Sequence, residues 1–467
     1  MNRTSSRARR ATLAVTAVAA VSAALAAAAP AASASAAPAA PRAATSQGFT
    51  PAIGVHPHYV KAGLPDADST ADPVQFGCQT VRPNRLTCYG PEQIRRAYGI
   101  DKLLNRHVTG KGRTIVIIDA YAPPNVAAEL KTFTTTWGLP DADLTVVNPY
   151  GAGYDEKDPN QRGWASEIAL DVQWAHVVAP DAKLVLVTAK TNDDADITAA
   201  IEYAVDHRLG DVISQSFGED ERCFDKDLLA RTHAVYQRAT ALGITLTASS
   251  GDQGSAQPTC DGSSYSLAAS YPASDPTNLA VGGTSLTADL TTGKYGSETV
   301  WNESLTFGSA GGGGFSTIFR KPWYQVGVVP GAYRGEPDVA YNAGINGGVL
   351  VYLDATPSTT GDEGFYIFGG TSSGAPQWAG LTALAAQVAH HSLGLLNDSI
   401  YLAARDQKVQ DFLFHDITTG DNAYTFEDEN GAAVTVPGYA AKRGWDAATG
   451  FGTPKAERVV PFLAATN

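Results

Sequence analysis

The chain has little cysteine and little positive charge to spare. Its four cysteines, Cys78, Cys88, Cys223 and Cys260, form no C-x-x-C pair and no histidine cluster accompanies them, which argues against structural zinc. Lys and Arg number 34 against 47 Asp and Glu, a formal charge of −13 at pH 7. Such a balance disfavours a nucleic-acid backbone or an anionic membrane as the main partner. Beyond the N-terminal region no apolar run is long enough to span a bilayer, and no internal repeat is present. What is there, 44% hydrophobic and 17% charged residues over 467 positions, is the composition of a globular chain with a large core.

Residues 1–36 carry Arg3, Arg7, Arg9 and Arg10, then an apolar run from Ala11 to about Ala29, then Ala32-Ser33-Ala34 and Ala34-Ser35-Ala36. This is the layout of a secretory signal peptide with a small-residue cleavage site. A membrane anchor is the competing reading, but the run is mostly alanine and ends in Pro and small residues. The expectation is a secreted, extracellular protein with no membrane attachment once the signal is cut. An even cysteine count then suggests two disulfides. Of three connectivities, Cys78–Cys88 with Cys223–Cys260 is the simplest, because each pair closes a short stretch. Residues 37–84 read as a linker or short pro-segment, beginning with Ala/Pro/Ser-rich text, and residues 85–467 as one folded domain.

Within that domain, short apolar runs at Arg113–Ile118, Leu184–Val187, Val212–Ser214, Ile244–Ala248, Leu279–Val281 and Val349–Tyr352 alternate with helical stretches. The helices are expected at Pro91–Tyr98, Asn125–Trp137, Trp164–Val178, Ala195–His207 and Asp225–Leu242. This alternation implies an α/β fold with a doubly wound, mostly parallel central sheet and helices on both faces. Sites on such sheets lie at the carboxyl ends of the strands. The Gly311–Gly314 run is expected to let a backbone come close to a substrate.

Three stretches could carry chemistry. Gly369-Gly370-Thr371-Ser372-Ser373-Gly374-Ala375-Pro376 is a tight turn opening a helix, with Ser372 expected to cap it. A Ser beside free helix N–H groups suits attack on a carbonyl, since the oxyanion formed is stabilised there. Glu167 and Asp171, four residues apart, project from one face of a helix that Ile168, Leu170, Val172 and Trp174 wrap in apolar side chains. Burying two carboxyls is costly unless they share a proton or find partners, so the arrangement points to use. Asp252, in Ser250-Gly251-Asp252, follows the strand ending at Ala248. Asp119 ends the strand starting near Arg113. No His-Gly-Thr motif supplies a base for Ser372, and His176 falls on roughly the opposite side of its helix from Glu167. A carboxylate base then fits work at acid pH.

These motifs together resemble the sedolisins, or serine-carboxyl peptidases, which look like subtilisin with a Glu in place of its His. The resemblance runs from about Pro91 to the C-terminus. It rests on Gly370-Thr371-Ser372-x-x-x-Pro376, on Glu167-x-x-x-Asp171 with Ala179-Pro180, and on Ser250-Gly251-Asp252. It also rests on Ser214-x-Ser216-Phe217-Gly218, and on Gly311–Ser316 with Pro322-Trp323-Tyr324-Gln325. It implies a subtilisin-like fold and hydrolysis of polypeptide substrates by a monomer. Ser372 would be the nucleophile, Glu167 its general base and then acid, and Asp171 the orienter sharing a proton with Glu167. Asp252, kept protonated, would donate to the oxyanion. Ser216, Phe217 and Gly218 would form the substrate-binding edge, with Phe217 where a Trp is common. His415-Asp416-Ile417-Thr418-Thr419-Gly420 and Arg443–Pro454 resemble the family's calcium site. Its ligands would be the side chains of Asp416 and Asp446 and the carbonyls of Ile417, Lys442 and Gly444, an oxygen set suited to a hard cation. The intervening 421–441 stretch is longer than the family usually has, and any pro-segment is short. Asp119 reads as structural or as a partner of the catalytic groups. The resemblance leaves endo- versus tripeptidyl-peptidase action undecided. The alternatives are a Ser-His-Asp hydrolase using Asp119 and Ser372, and a non-catalytic peptide-binding relative of the same fold.

Overall fold

The computed structural model describes residues 54–55, 58–62, 75–80, 85–354 and 363–467. The expected signal peptide, residues 1–36, and most of the 37–84 linker or pro-segment lie outside the described residues. A short strand, β1 (His58–Lys61), precedes the alternating part of the chain. There follow β2 (Thr114–Ala120), α1 (Val126–Thr136), β3 (Asp143–Val147), α2 (Pro159–Val178), β4 (Lys183–Ala189) and α3 (Asp194–Asp206). Next come β5 (Val212–Gln215), α4 (Lys226–Ala241), β6 (Thr245–Ser249), β7 (Leu279–Ala288), β8 (Tyr295–Val300) and β9 (Val339–Asn342). Then β10 (Gly348–Leu353) and β11 (Gly364–Gly369) lead into α5 (Gly374–Ala389).

The main sheet runs β8-β7-β6-β5-β2-β4-β3, with β9 also paired to β7. Every pairing in it is parallel except β7 with β8. β2 explains the two helical layers. Its alternate residues Ile115 and Ile117 join a core with Ile168 and Leu170 of α2 and Leu381 and Leu384 of α5. Val116 and Ile118 join a second core with Ile197 and Ile201 of α3 and Val235 and Tyr236 of α4. A strand covered on both faces reads as an unbroken β-branched run, and each such side chain stabilises the fold by about 1.5–3 kcal/mol on burial.

Some expectations shift. α2 starts at Pro159, ahead of the expected Trp164, because the Asp158 side chain accepts from Asn160 N–H and Pro159 fills the first helical position. β3 lacks a buried-strand signature because it is a largely exposed edge. Val349–Tyr352 is a strand but not part of the parallel sheet. β10 pairs antiparallel with β11, which in turn pairs antiparallel with β1. The Gly311–Gly314 run meets protein rather than leaving room for substrate alone: a Cβ on Gly312 would stand 1.9 Å from the Ser250 carbonyl oxygen. Both disulfides join the expected partners, Cys78 to Cys88 and Cys223 to Cys260.

From the central pair β2 and β5 the chain winds outward both ways, to β4 and β3 on one side and to β6 and β7 on the other. The carboxyl ends at such a reversal open a crevice. Ile118 stands opposite Gln215 in the ladder, so the next residues, Asp119 and Ser216, form its mouth.

Candidate active site

Three carboxyls meet in that crevice, and all three are 0% exposed: Asp119 at the end of β2, and Glu167 and Asp171 on α2. Asp171 Oδ1 accepts the Ser216 hydroxyl at 2.9 Å. Its Oδ2 and both oxygens of Asp119 have no hydrogen-bond partner among the described residues, and the Glu167 oxygens have only the neighbouring Ser372 hydroxyl, which is not aligned for a direct bond. Burial raises all three well above the ordinary carboxylate range. Repulsion adds to it, from Asp171 and then Asp252 on Glu167, from Asp119 on Asp171, and from Glu167 on Asp119. The Ser372 hydroxyl pulls Glu167 back down, and the Ser216 hydroxyl does so for Asp171. Among the described residues no cation offsets the repulsion, which favours protons shared within the set.

Ser372 lies in the single 3₁₀ turn Thr371–Ser373 between β11 and α5. It is not the helix cap that its sequence context suggests. Ser373 occupies that position, and neither it nor Ser372 makes a side-chain cap bond. The Ser372 hydroxyl instead donates to the Ser216 carbonyl at 3.3 Å, and the residue is 8% exposed. It is therefore an uncapped hydroxyl at a helix entrance, near an ionisable carboxyl.

Asp252 arrives from the end of β6 through Gly251, whose φ of 105° requires glycine. Its Oδ1 accepts both the Thr371 N–H and the Thr371 hydroxyl, each at 2.8 Å. Gly370 takes φ 120°, and a Cβ there would lie 2.7 Å from Asp252 Oδ2. The glycine before Thr371 thus makes room for the carboxyl. Thr371 is the residue that sequence reasoning passed over, although it stands inside the quoted motif. Ser216, Phe217, Gly218, Asp252 and Ser372 line one cavity. Phe217 is buried against Trp164, with ring centroids 6.0 Å apart, so it forms a wall rather than an open subsite. No histidine reaches Ser372 by hydrogen bond among the described residues, and His176 Nε2 bonds the Pro140 carbonyl at 2.8 Å.

Far along the chain, Asp416 and Asp446 flank one loop. Asp416 Oδ2 accepts Gly444 N–H and Asp446 Oδ2 accepts Lys442 N–H, both at 3.0 Å. Asp446 Oδ1 is taken by Ala448 N–H, Thr449 N–H and the Thr449 hydroxyl. Burial raises Asp446 to about 6 and Asp416 above its usual value. No group of three or more His, Cys, Asp or Glu side chains able to hold a metal occurs among the described residues. Two observations still fit a hard cation. Asp416 Oδ1 is buried without a partner, and the carbonyls of Ile417, Lys442 and Gly444 receive no hydrogen bond among the described residues. The longer 421–441 stretch contains a hairpin, Tyr424–Glu427 paired with Ala433–Val436.

A model described as the subtilase family matches residues 157–452. The chain is 33% identical over 389 residues to kumamolisin of Bacillus sp. (strain MN-32), which covers 81% of this chain and 64% of that protein. It is 29% identical over 405 residues to xanthomonalisin of Xanthomonas sp. (strain T-22), covering 79% and 45%. The chain therefore spans less than two thirds of these relatives' own length. Among solved structures it superposes on Pseudomonas sedolisin, a serine-carboxyl proteinase complexed with two molecules of pseudo-iodotyrostatin. The TM-score is 0.69 at 27% identity, over 82% of this chain and 100% of that one. The subtilase model spans α2, the Ser372 turn and the parallel strands from β4 onward, and with these relatives it shows that the chain belongs to the subtilase family, within its sedolisin branch.

Proposed function

We propose that the chain is a secreted serine-carboxyl peptidase that hydrolyses polypeptides in acid. The observation that carries this reading is the nearness of Ser372 to the buried Glu167, which is itself coupled to Asp171, with Asp252 lining the same cavity as Ser372. Ser372 Oγ attacks the peptide carbonyl carbon while its proton passes to Glu167, the member of the carboxyl set nearest in effect to that hydroxyl. The new oxyanion accepts a hydrogen bond from neutral Asp252. Two donors already occupy Asp252 Oδ1, so its proton sits on Oδ2. Collapse breaks the C–N bond and Glu167 returns the proton to the leaving amine. Water then attacks the acyl-enzyme with Glu167 as base, and Ser372 regains its proton.

Asp171, fixed by Ser216, orients Glu167 and shares its proton. Asp119 is a third member of that set and limits the negative charge the pair can carry. Ser216, Phe217 and Gly218 form the edge along which an extended peptide lies. Asp416, Asp446 and the carbonyls of Ile417, Lys442 and Gly444 would hold calcium, which would supply a structural clamp rather than reaction chemistry. Export through residues 1–36 and a monomeric working form complete the reading.

A peptide aldehyde tests the nucleophile directly, because it forms a hemiacetal with an activated serine. Inhibition at about pH 4 with an added mass on the Ser372 peptide, lost in Ser372→Ala, is the expected result. Tight binding without any adduct would support a peptide-binding protein instead.

A further inference from the structure

The 421–441 stretch is built as a ribbon and lies against the loop that carries Asp252. Asp428-Glu429-Asn430-Gly431 is its turn. Asn430 and Ala432 N–H close that turn on Asp428 Oδ1, and Gly431 takes φ 75°. On either side Tyr424 stands opposite Val436 and Phe426 opposite Val434, and at the root Asp421 bridges Ala440. Tyr424 and Val436 share a small core with Ala256 and Ala310. Tyr265 packs on Tyr424 and Phe426, with centroids 5.1 and 4.9 Å away. Ala256 and Ala310 belong to the two segments that hold Asp252.

That carboxyl needs support. It sits between Gly251 at φ 105° and Gly254 at φ 59°, and glycine leaves a loop freer than any other residue. An oxyanion donor works only when it is held where the charge develops. The 310–313 segment grips the loop on both sides of Asp252. Ala310 N–H donates to the Asp252 carbonyl at 2.9 Å, Gly254 N–H to the Ala310 carbonyl at 2.8 Å, and Gly312 N–H to the Gly251 carbonyl at 2.7 Å. The root of the ribbon ties this segment and the loop together through Asn422, which is fully buried. Its carbonyl accepts Ser255 N–H at 2.9 Å. Its Nδ2 donates to the Gly313 carbonyl at 3.3 Å, and its Oδ1 accepts Tyr439 N–H at 2.7 Å. The approach is close: a Cβ on Gly254 would stand 2.3 Å from the Asn422 carbonyl oxygen. Ser255 Oγ donates to the Pro437 carbonyl at 2.8 Å. The Tyr424 hydroxyl donates at 3.0 Å to the carbonyl of Gly308, two residues before Ala310.

We infer that the 421–441 ribbon positions the oxyanion carboxyl, with Asn422 and Tyr424 as its positioning residues. The inference rests on the peptidase reading of Asp252. Neither residue lines the cavity that holds Ser372, so each acts through Asp252 and not on the peptide. Loosening the ribbon therefore costs turnover rather than substrate affinity, and costs nothing once the carboxyl is gone. A residue that only stabilises the fold would lower the unfolding midpoint and leave turnover per folded molecule unchanged.

The test is a double-mutant cycle in the full chain at about pH 4, well below each variant's unfolding midpoint. Asn422→Ala should lower kcat about tenfold, short of the about 10²- to 10³-fold for losing the donor itself, with KM within about twofold. In an Asp252→Ala background the same change should alter kcat by less than about twofold. Tyr424→Phe keeps the ring and loses the bond to Gly308, and it carries the test should Asn422→Ala not fold. It should lower kcat about threefold, again only while Asp252 is present. Hydrogen exchange gives a reading independent of turnover. In a Ser372→Ala background, which prevents self-cleavage, amides of 251–256 and 310–313 should exchange about tenfold faster when Asn422 is replaced. Losses that multiply with that of Asp252→Ala, or wild-type kcat and exchange in both variants, would overturn the inference. The expected exchange in a chain that hydrolyses no peptide would instead overturn the peptidase reading and leave the brace on the Asp252 loop standing.

Discussion

If Asp252 works as a neutral acid, asparagine should replace it well and alanine should not. The reasoning starts from its two oxygens. Oδ1 accepts from both Thr371 N–H and Thr371 Oγ1 at 2.8 Å, and Oδ2 then carries the proton offered to the oxyanion. In Asp252→Asn the amide oxygen can keep both Thr371 bonds, while Nδ2–H supplies the donor at every pH. Asp252→Ala removes the donor, at about 10²- to 10³-fold in kcat, or about 3–4 kcal/mol. It also strands the buried Thr371 N–H, costing about 1–3 kcal/mol of stability, while the Thr371 hydroxyl keeps the Gly251 carbonyl at 3.1 Å. The assay is kcat/KM on a denatured protein or peptide at about pH 4 and pH 7, with thermal unfolding of each variant. Asp252→Asn should keep most acid activity, because its amide offers the same donor to the oxyanion. An asparagine variant as impaired as the alanine one in acid, with an unchanged unfolding midpoint, would refute the donor role.

The remaining predictions concern stability. Asp119, raised by burial and by Glu167, binds its proton more tightly folded than unfolded, so its contribution is present in acid and lost as pH rises above about 4. Asp119→Asn should therefore flatten the fall in unfolding midpoint between about pH 4 and 7, and a wild-type slope would contradict this. Replacing Cys223 and Cys260 by serine opens a 37-residue separation and should lower stability by about 4 kcal/mol in chemical denaturation; a loss below about 1 kcal/mol would show that the loop is held by its packing. Chelation at about pH 7 should lower the unfolding midpoint of wild type but not of Asp416→Ala, which loses the unpartnered Oδ1. A midpoint insensitive to chelator would remove calcium from the account.

Much of this was legible in the sequence because periodicity and burial agree. The β-branched run of β2 could be read as a doubly covered strand, and the apolar wrapping of α2 correctly announced a buried Glu167 and Asp171. Edge strand β3 could not be read, since its half-exposed residues carry no core signal. β10 showed strand character, but local pattern does not tell a strand which sheet to join. The turn bearing Ser372 was legible, but its capping role was not: a Ser at a helix entrance looks like a cap, and only the extra 3₁₀ turn moves the cap position to Ser373. Thr371 and Asp119 show the other limit. Their importance lies in what they meet across the fold, Asp252 in one case and Glu167 and Asp171 in the other.

The central claim is that a carboxyl, not an imidazole, takes the Ser372 proton. The most direct measurement is the pH–rate profile of kcat/KM from about pH 3 to 8 for wild type, Ser372→Ala and Glu167→Gln. An acid optimum, lowered by orders of magnitude in both variants while each unfolds at the wild-type temperature, is the predicted result. A neutral optimum that survives Glu167→Gln would contradict it and require a histidine base.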